Sequence, residues 1–385
     1  MKNVLLVRST PNDLDIEAYN VQQIGIGRCF VDKKINYDFV TLKKNEPRKS
    51  IVFYEKEGYK ATCLEMPRFR LLRWGINLKI CDNSFLDKYD LIICQEYYQL
   101  ETFLISRKSK NVCMYSGPYW NMFMLPFSSY FFDLFLTRKI NQNIKCKFVK
   151  SALAKDFLES KGYTNVIDIG VGLDLERFEN ISIKEDTKII VKYMDENPCI
   201  LYVGNLNENK NLPFLLNVFT ELSKRRPELR LVLIGKSKQT YLKKLVGMKD
   251  ESYAKKEFLK LDKAVLDKIV HIERVENPQL QFIYPKAKAF LLPSKKEIFG
   301  MVLLEAMYLG APVVCSNNGG AISLLKGNDC GQALDEFSVS KWVNATLKYI
   351  DDGKYAKDTA KNARNRILDH FTWDAIVGKI INAME

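Results

Sequence analysis

PSKKEIFGMVLLEAMYLGAPVVCSNNGG, residues 293–320, is the stretch from which the fold can be read. An apolar run, KAFLLP (288–293), ends at Pro293 and gives way to a polar loop carrying Glu297. A helical pattern then runs from near Phe299 to Leu309, Gly310 follows as a left-handed stop, and Pro312 lies in the next apolar run, APVVCS (311–316). Strand, loop, helix, glycine stop and strand in so short a span describe one turn of a parallel α/β sheet.

Open α/β sheets bind ligands at the carboxyl ends of their strands, where loops feed helix N-termini. The N–H groups of Gly300, Met301 and Val302 fall at such an N-terminus and favour a diphosphate. Glu305 follows about two turns on, roughly 9 Å from the helix start, a suitable offset between a diphosphate and its ribose. A carboxylate there can accept both ribose hydroxyls, and Glu297 at the mouth of the loop can meet the hydroxyls of a sugar beyond the diphosphate. Upstream, ILYVGNLNENKN (200–211) is a buried strand ending in Gly204, a polar turn, and Lys210 before a helix over 212–226. Gly204 lets a ligand approach the backbone, and Lys210 can offset the charge of a leaving diphosphate.

The same alternation extends along the 385 residues. Strands are expected at 3–7, 37–42, 90–94, 111–115, 147–151 and 165–170, then at 198–204, 229–235, 268–272, 288–293 and 311–316. Runs without polar alternation are what strands buried on both faces look like. The two series part near 171–196, a charged stretch without strand pattern, so two doubly wound domains are expected. The lysine-rich stretch 236–263 reads as a solvated helix pair.

Composition narrows the chemistry. The chain is 47% hydrophobic and 27% charged, the balance of a globular protein. Nine scattered cysteines with no C-x-x-C pair suit free thiols in a reducing, cytoplasmic setting. Only His271 and His370 are available, which weighs against histidine-based metal or triad chemistry, and no metal or cofactor is expected. Asp13 and Asp15 form a D-x-D in the loop after the first strand and read as chance. The opening apolar run breaks at Arg8 and Pro11, too soon for a secretory signal. No nucleic-acid motif accompanies the basic charge.

That charge is uneven. The net is +13, and residues 33–79 alone hold 12 basic and 5 acidic side chains, which would attract anionic lipid headgroups or nucleic acid, or else form a merely soluble basic surface. Within it MPRFRLLRWGINLK (66–79) interleaves Arg68, Arg70 and Arg73 with Trp74 and other apolar residues, as an interfacial membrane segment does. YWNMFMLPFSSYFFDLFL (119–136) adds a second apolar surface. The expectation is a peripheral enzyme at the inner face of a membrane, acting on a lipid-linked acceptor; the alternative is ordinary core with a few surface arginines.

These residues resemble a known family. The Glu297-to-Glu305 spacing, the Gly204-to-Lys210 element, GVGLD (170–174) before Phe178, and HFTWDAIVGKII (370–381) resemble the nucleotide-sugar half of retaining glycosyltransferases of the GT-B fold, most closely the large family 4. The resemblance runs from 165 to 383. It implies two Rossmann-like α/β domains with an interdomain cleft: 1–175 for the acceptor, 176–368 for the nucleotide sugar, and a terminal helix in 369–385 packing back on the first. It also implies a UDP- or GDP-sugar donor, with Lys210 on the phosphates, Glu297 on the sugar, Glu305 on the ribose, and Phe299, Gly300 and Met301 lining the sugar pocket. The base would stack near Gly235, Lys236 and the turn from Val275 to Pro278.

More loosely, YNVQQIGIGRCFV (19–31) resembles the family's glycine loop, making Gly25 and Gly27 candidates for the donor phosphate. MYSGPY (114–119) resembles the loop that in many relatives carries a histidine near the transferred sugar; here Ser116, with Tyr119 and Trp120, takes that place. Asn205 stands where the family usually has an arginine, so one phosphate contact is either missing or supplied by another cation such as Arg28. The rival reading is a catalytically weak sugar-nucleotide-binding partner subunit.

Overall fold

Strand, helix and parallel strand is the repeating unit of the computed structural model, which describes all residues except 11–12, 17–20, 45, 72–73, 124–125, 238–252 and 328. The chain forms two compact units, Met1–Asp174 with Phe371–Glu385, and Leu175–His370.

The first unit contains β1 (Asn3–Arg8), β2 (Asn36–Lys43), β3 (Lys49–Lys56), β4 (Tyr59–Pro67), β5 (Phe69–Leu71), β6 (Trp74–Ile76), β7 (Leu91–Gln95), β8 (Val112–Ser116), β9 (Lys147–Val149) and β10 (Val166–Asp168). Eight of them make one sheet in the order β10-β9-β8-β7-β1-β2-β4-β3. Pairing is parallel except for the β3–β4 hairpin. Strands β1, β7 and β8 are apolar and buried because helices cover both faces of a parallel sheet.

The β3–β4 hairpin has no counterpart among the expected strands. Its turn is Glu57-Gly58, both at positive φ, which is the backbone a tight two-residue hairpin requires. Strand β3 is the sheet edge, largely exposed, and its flanking lysines are the kind of charge that blunts an edge. Ion pairs take up part of the basic excess of 33–79. Half of its twelve cations are in ion pairs: Lys33 with Asp374, Lys34 with Glu57, Lys43 with Glu65, Lys56 with Asp32, Lys60 with Glu55, and Arg68 with Asp13. The Arg68 side chain is only 6% exposed, so it does not face a lipid surface. The 66–79 segment is largely β-structure, with β5 and β6 forming a short antiparallel ribbon. Arg73 and the side chains of Arg70 and Trp74 lie outside the described residues.

A second correction concerns Gly25 and Gly27. They lie inside the helix Gln22–Asp32, buried, rather than in a loop. A Cβ at Gly25 would fall 2.1 Å from the Trp373 indole, and one at Gly27 would fall 2.7 Å from the Phe53 and Tyr37 rings. Their lack of a side chain is taken up by packing, helix against terminal helix and helix against sheet. Arg28, on the same helix, pairs with Asp174 at 3.1 Å and lies over Tyr54.

The second unit contains β11 (Cys199–Val203), β12 (Arg230–Ile234), β13 (Ile269–Ile272), β14 (Ala287–Leu292), β15 (Val313–Ser316) and β16 (Gln332–Leu334), in the order β13-β12-β11-β14-β15-β16. Every pairing is parallel. The chain winds outward from β11 through β12 to β13, then returns to the other side of β11 as β14. The switch point therefore falls between β11 and β14. In the first unit it falls between β1 and β7 by the same count. Of the lysine-rich stretch, 238–252 lies outside the described residues, and Tyr253–Phe258 is helical.

All nine cysteines are free. Burial pushes the thiols of Cys29, Cys63, Cys81 and Cys315 up to about 12. Among the described residues no helix is long and apolar enough to cross a membrane.

Candidate functional site

The switch point of the second unit places the loop after β11 beside the loop after β14. Lys210 closes a 3-10 turn, Glu208–Lys210, whose N-cap Asn207 accepts from the Lys210 N–H at 3.0 Å. Asn211 then takes a left-handed φ of 56° and starts the helix Leu212–Arg225. Across the gap, the Lys295 N–H donates to the Asn209 carbonyl at 2.7 Å, and Asn209 Nδ2 donates to the Lys296 carbonyl at 2.9 Å. These bonds hold the two loops together, and Lys210 Nζ donates to Glu297 Oε1. The two side chains are 17% and 16% exposed, so the pair is shielded yet reachable. Desolvation first, and the Glu297 charge second, push the Tyr202 phenol upward.

The helix after β14 runs Met301–Tyr308, with Gly300 as its N-cap at φ 84°. Phe299 is buried, while Met301 and Val302 are half-buried at the first turn. Because the helix starts at Met301 and not near Phe299, Glu305 lies about one turn on rather than two; it is buried and accepts from Asn277 Nδ2 at 3.2 Å. The structure thus brings Glu305 to the turn after β13, where Val275 is half-buried. Asn277 lies in the expected turn from Val275 to Pro278, though the sequence does not single it out there. Its Oδ1 is buried with no hydrogen-bond partner among the described residues.

Gly204 and Gly235 end neighbouring strands. A Cβ at Gly235 would lie 1.9 Å from the Gly204 carbonyl oxygen, so the two tips touch backbone to backbone. Asn205 and Lys236 are exposed beside them. His271 binds the Gly235 carbonyl through Nε2 at 2.9 Å; since a carbonyl only accepts, Nε2 carries the proton.

In the first unit the switch point gathers residues that sequence reasoning missed. Arg8 ends β1 and Glu96 follows β7. Glu96 is buried and holds φ at 71°, a conformation costly for a side chain of this kind. Its carboxylate accepts from Ser116 Oγ at 2.9 Å and from the Gly117 N–H at 3.1 Å, and lies 3.6 Å from Lys150 Nζ. Burial pulls the Arg8 guanidinium downward, and Glu96 opposes that pull. Ser116 is therefore buried and committed to Glu96, while Tyr119 and Trp120 remain half-buried, ring edge to face at 4.7 Å. The signal in the sequence was slight: a lone acid after an apolar strand.

Glu96→Ala would leave Lys150 buried without its carboxylate. Breaking a buried pair from one side costs on the order of 3 kcal/mol. The denaturation midpoint of the variant should fall accordingly; a loss within ~0.5 kcal/mol, the range of ordinary surface substitutions, would show that the pair is not needed for folding.

Residues 183–366 match the family model described as Glycosyl transferases group 1. The chain is 28% identical over 202 residues to the D-inositol 3-phosphate glycosyltransferase of Paenarthrobacter aurescens (strain TC1), covering 52% of this chain and 47% of that protein. It is 26% identical over 235 residues to the capsular polysaccharide biosynthesis glycosyltransferase CapM of Staphylococcus aureus, covering 60% and 57%. The chain thus spans about half the length of the curated relatives it matches.

Among solved structures, sucrose-phosphate synthase from Thermosynechococcus elongatus superposes with a TM-score of 0.68 at 18% identity, over 99% of this chain and 98% of that one. Anabaena Alr3699/HepE in complex with UDP and glucose gives 0.66 at 14%, over 100% and 99%. At such identities the likeness is one of fold, two Rossmann-like parallel-sheet domains of the GT-B kind. The likeness to Glycosyl transferases group 1 is carried by residues 183–366, just under half of the chain.

Proposed function

We propose that this chain is a retaining glycosyltransferase, moving a hexose or N-acetylhexosamine from a UDP- or GDP-sugar to a saccharide or lipid-linked acceptor in surface polysaccharide or glycoconjugate assembly. The observation that carries the reading is the Lys210–Glu297 pair, held at a sheet's switch point beside the N-terminus of the helix Met301–Tyr308. A cation and helix N–H groups suit a diphosphate. A carboxylate beside them suits sugar hydroxyls, and a second, Glu305, suits a ribose.

In the proposed reaction the bond from the anomeric carbon to the diphosphate oxygen breaks while the acceptor oxygen bonds to the same face. The acceptor's proton passes to the leaving diphosphate. Lys210 and the N–H groups of Met301 and Val302 stabilise the charge that develops there. Val275 and Asn277 face the nucleoside, with Gly235 and Lys236 near the base. Tyr119 and Trp120 belong to the acceptor side, whereas Ser116, buried and bonded to Glu96, does not reach it. Phe299 and Gly300 shape the sugar pocket, and Gly204 and Asn205 border the phosphates. No step runs through a metal, and no nucleic-acid partner is implied. A cytoplasmic setting is supported by the nine free thiols, and the polysaccharide assignment by the name of the Staphylococcus aureus relative.

A thermal-shift series against UDP-, GDP- and ADP-sugars tests the donor. At about a hundred times its Kd, a ligand of the folded state adds roughly 2.7 kcal/mol of stability, and a rise in melting temperature is expected with a UDP- or GDP-sugar. No rise with any of them would end the reading. A second reading, a sugar-nucleotide-binding partner subunit, is favoured by Asn205 and by the commitment of Ser116 to Glu96. Slow hydrolysis of the donor that binds separates the two: an enzyme hydrolyses it, a binder does not.

A further inference from the structure

Five of the fifteen large apolar side chains exposed among the described residues fall within nine positions of one helix: Phe127, Tyr130, Phe131, Leu134 and Phe135, between 56% and 75% exposed. Scattered exposed apolar residues need no explanation, but a contiguous group does. The helix runs Pro126–Phe132, continues as a π-helical turn over Asp133–Thr137, and resumes as Arg138–Asn143. Offsets of three, four, seven and eight from Phe127 put all five on one face. Phe131 and Phe135 stack in parallel at 6.3 Å, and Tyr130 meets Phe131 edge to face at 5.9 Å, so the face is one continuous aromatic surface.

The opposite face is already satisfied. Phe132 and Ile140 are buried in the first unit's core. Asn141 Nδ2 donates to the Gly162 carbonyl at 3.1 Å, anchoring the helix from behind. The outer apolar face therefore does no work within the unit. Charge says what it suits. Continuing the exposed face by one more turn reaches Arg138 and Lys139, both exposed. Residues 107–145 hold six basic side chains and one acid, Asp133, which is itself paired with Lys161. Aromatic and aliphatic groups beside cations, with their only acid neutralised, complement an anionic bilayer surface rather than a neutral or basic one.

We propose that this helix face, and not the 66–79 segment, docks the protein on an anionic lipid bilayer: Phe127, Tyr130, Phe131, Leu134 and Phe135 enter the headgroup boundary, and Arg138 and Lys139 bind lipid phosphates. The docking is independent of glycosyl transfer and stands or falls without it.

The test is co-sedimentation of the full chain with phosphatidylcholine vesicles, with and without phosphatidylglycerol, at low and at physiological salt. The wild type pellets with the anionic vesicles, less so as salt rises. Phe131→Ser with Phe135→Ser abolishes pelleting, and Arg138→Gln with Lys139→Gln weakens it about thirtyfold, two cations' contribution near the surface. All four positions are exposed, so melting temperature and donor-induced thermal shift stay at wild-type values, which separates lost docking from lost folding. Three outcomes overturn the proposal: no pelleting of the wild type with anionic vesicles at low salt, pelleting of the aromatic variant equal to the wild type, or a wild-type dimer in light scattering that the aromatic substitutions dissolve, since a second copy would then be the occupant.

Discussion

Lys210→Ala lowers turnover of the preferred sugar nucleotide roughly 10²- to 10³-fold, the usual cost of losing one group aimed at developing charge, while its melting temperature stays near the wild type's. The physical basis is the position of the ammonium. It sits in a turn fixed by Asn207 and Asn209, next to the carboxylate of Glu297. Before donor binds, that carboxylate holds the lysine in place. In the proposed reaction a bound donor would put its leaving diphosphate beside the ammonium and leave Glu297 to accept from the sugar. Glu297→Gln should therefore lower turnover as well, and the double variant should lose less than the sum of the two single losses. Residues acting as one unit are non-additive. Steady-state kinetics on the three variants read the coupling directly. Additive losses would mean the two residues act independently rather than as a pair, and unchanged turnover in Lys210→Ala would remove the lysine from the mechanism.

Part of this was legible in the sequence and part was not, for identifiable reasons. Strands such as β11 and β14 are uninterrupted apolar runs because both faces are covered, so the pattern alone reveals them. The Gly310 stop and the Pro312 restart are equally local signals. The Lys210–Glu297 contact is not local: the residues are 87 positions apart, and only the placement of β14 beside β11 joins them. Gly25 and Gly27 mislead because a G-x-G reads as a loop, whereas what they accommodate is Trp373, at the far end of the chain, and the rings of Phe53 and Tyr37. The β3–β4 hairpin hides because an exposed edge strand lacks the apolar run of a central one. Glu96 hides most fully, since its backbone conformation and its partners come from three different strand tips. The apolar surface in 119–136 was legible as composition; which of its residues face outward depends on the helix.

Gly320→Ala removes donor binding and destabilises the second unit, although it adds a single methyl group. The two glycines that end the diagnostic stretch lie against the loop that carries the site. A Cβ at Gly320 would fall 2.2 Å from the Phe299 carbonyl oxygen, and one at Gly319, where φ is 46°, would fall 2.0 Å from the Glu297 carbonyl oxygen. Both neighbours are backbone, so neither can swing aside. Either the methyl is squeezed in, at about 1–3 kcal/mol for overpacking, or the 297–299 loop retreats and carries Glu297 away from Lys210. A displacement near 1 Å at a positioned group can cost ~10²-fold in rate. Both routes act on the same segment, so Gly320→Ala should show a lower melting temperature together with loss of the donor-induced shift. Gly310→Ala is the control. Gly310 also holds a positive φ, 86°, but a Cβ there meets nothing within 4 Å. It should lose about 1–2 kcal/mol to backbone strain and keep the donor shift in full. Should Gly320→Ala bind and turn over donor like the wild type, the close approach of the two loops would not be what holds Glu297, and the site's geometry would have to be maintained from the Asn209 side alone.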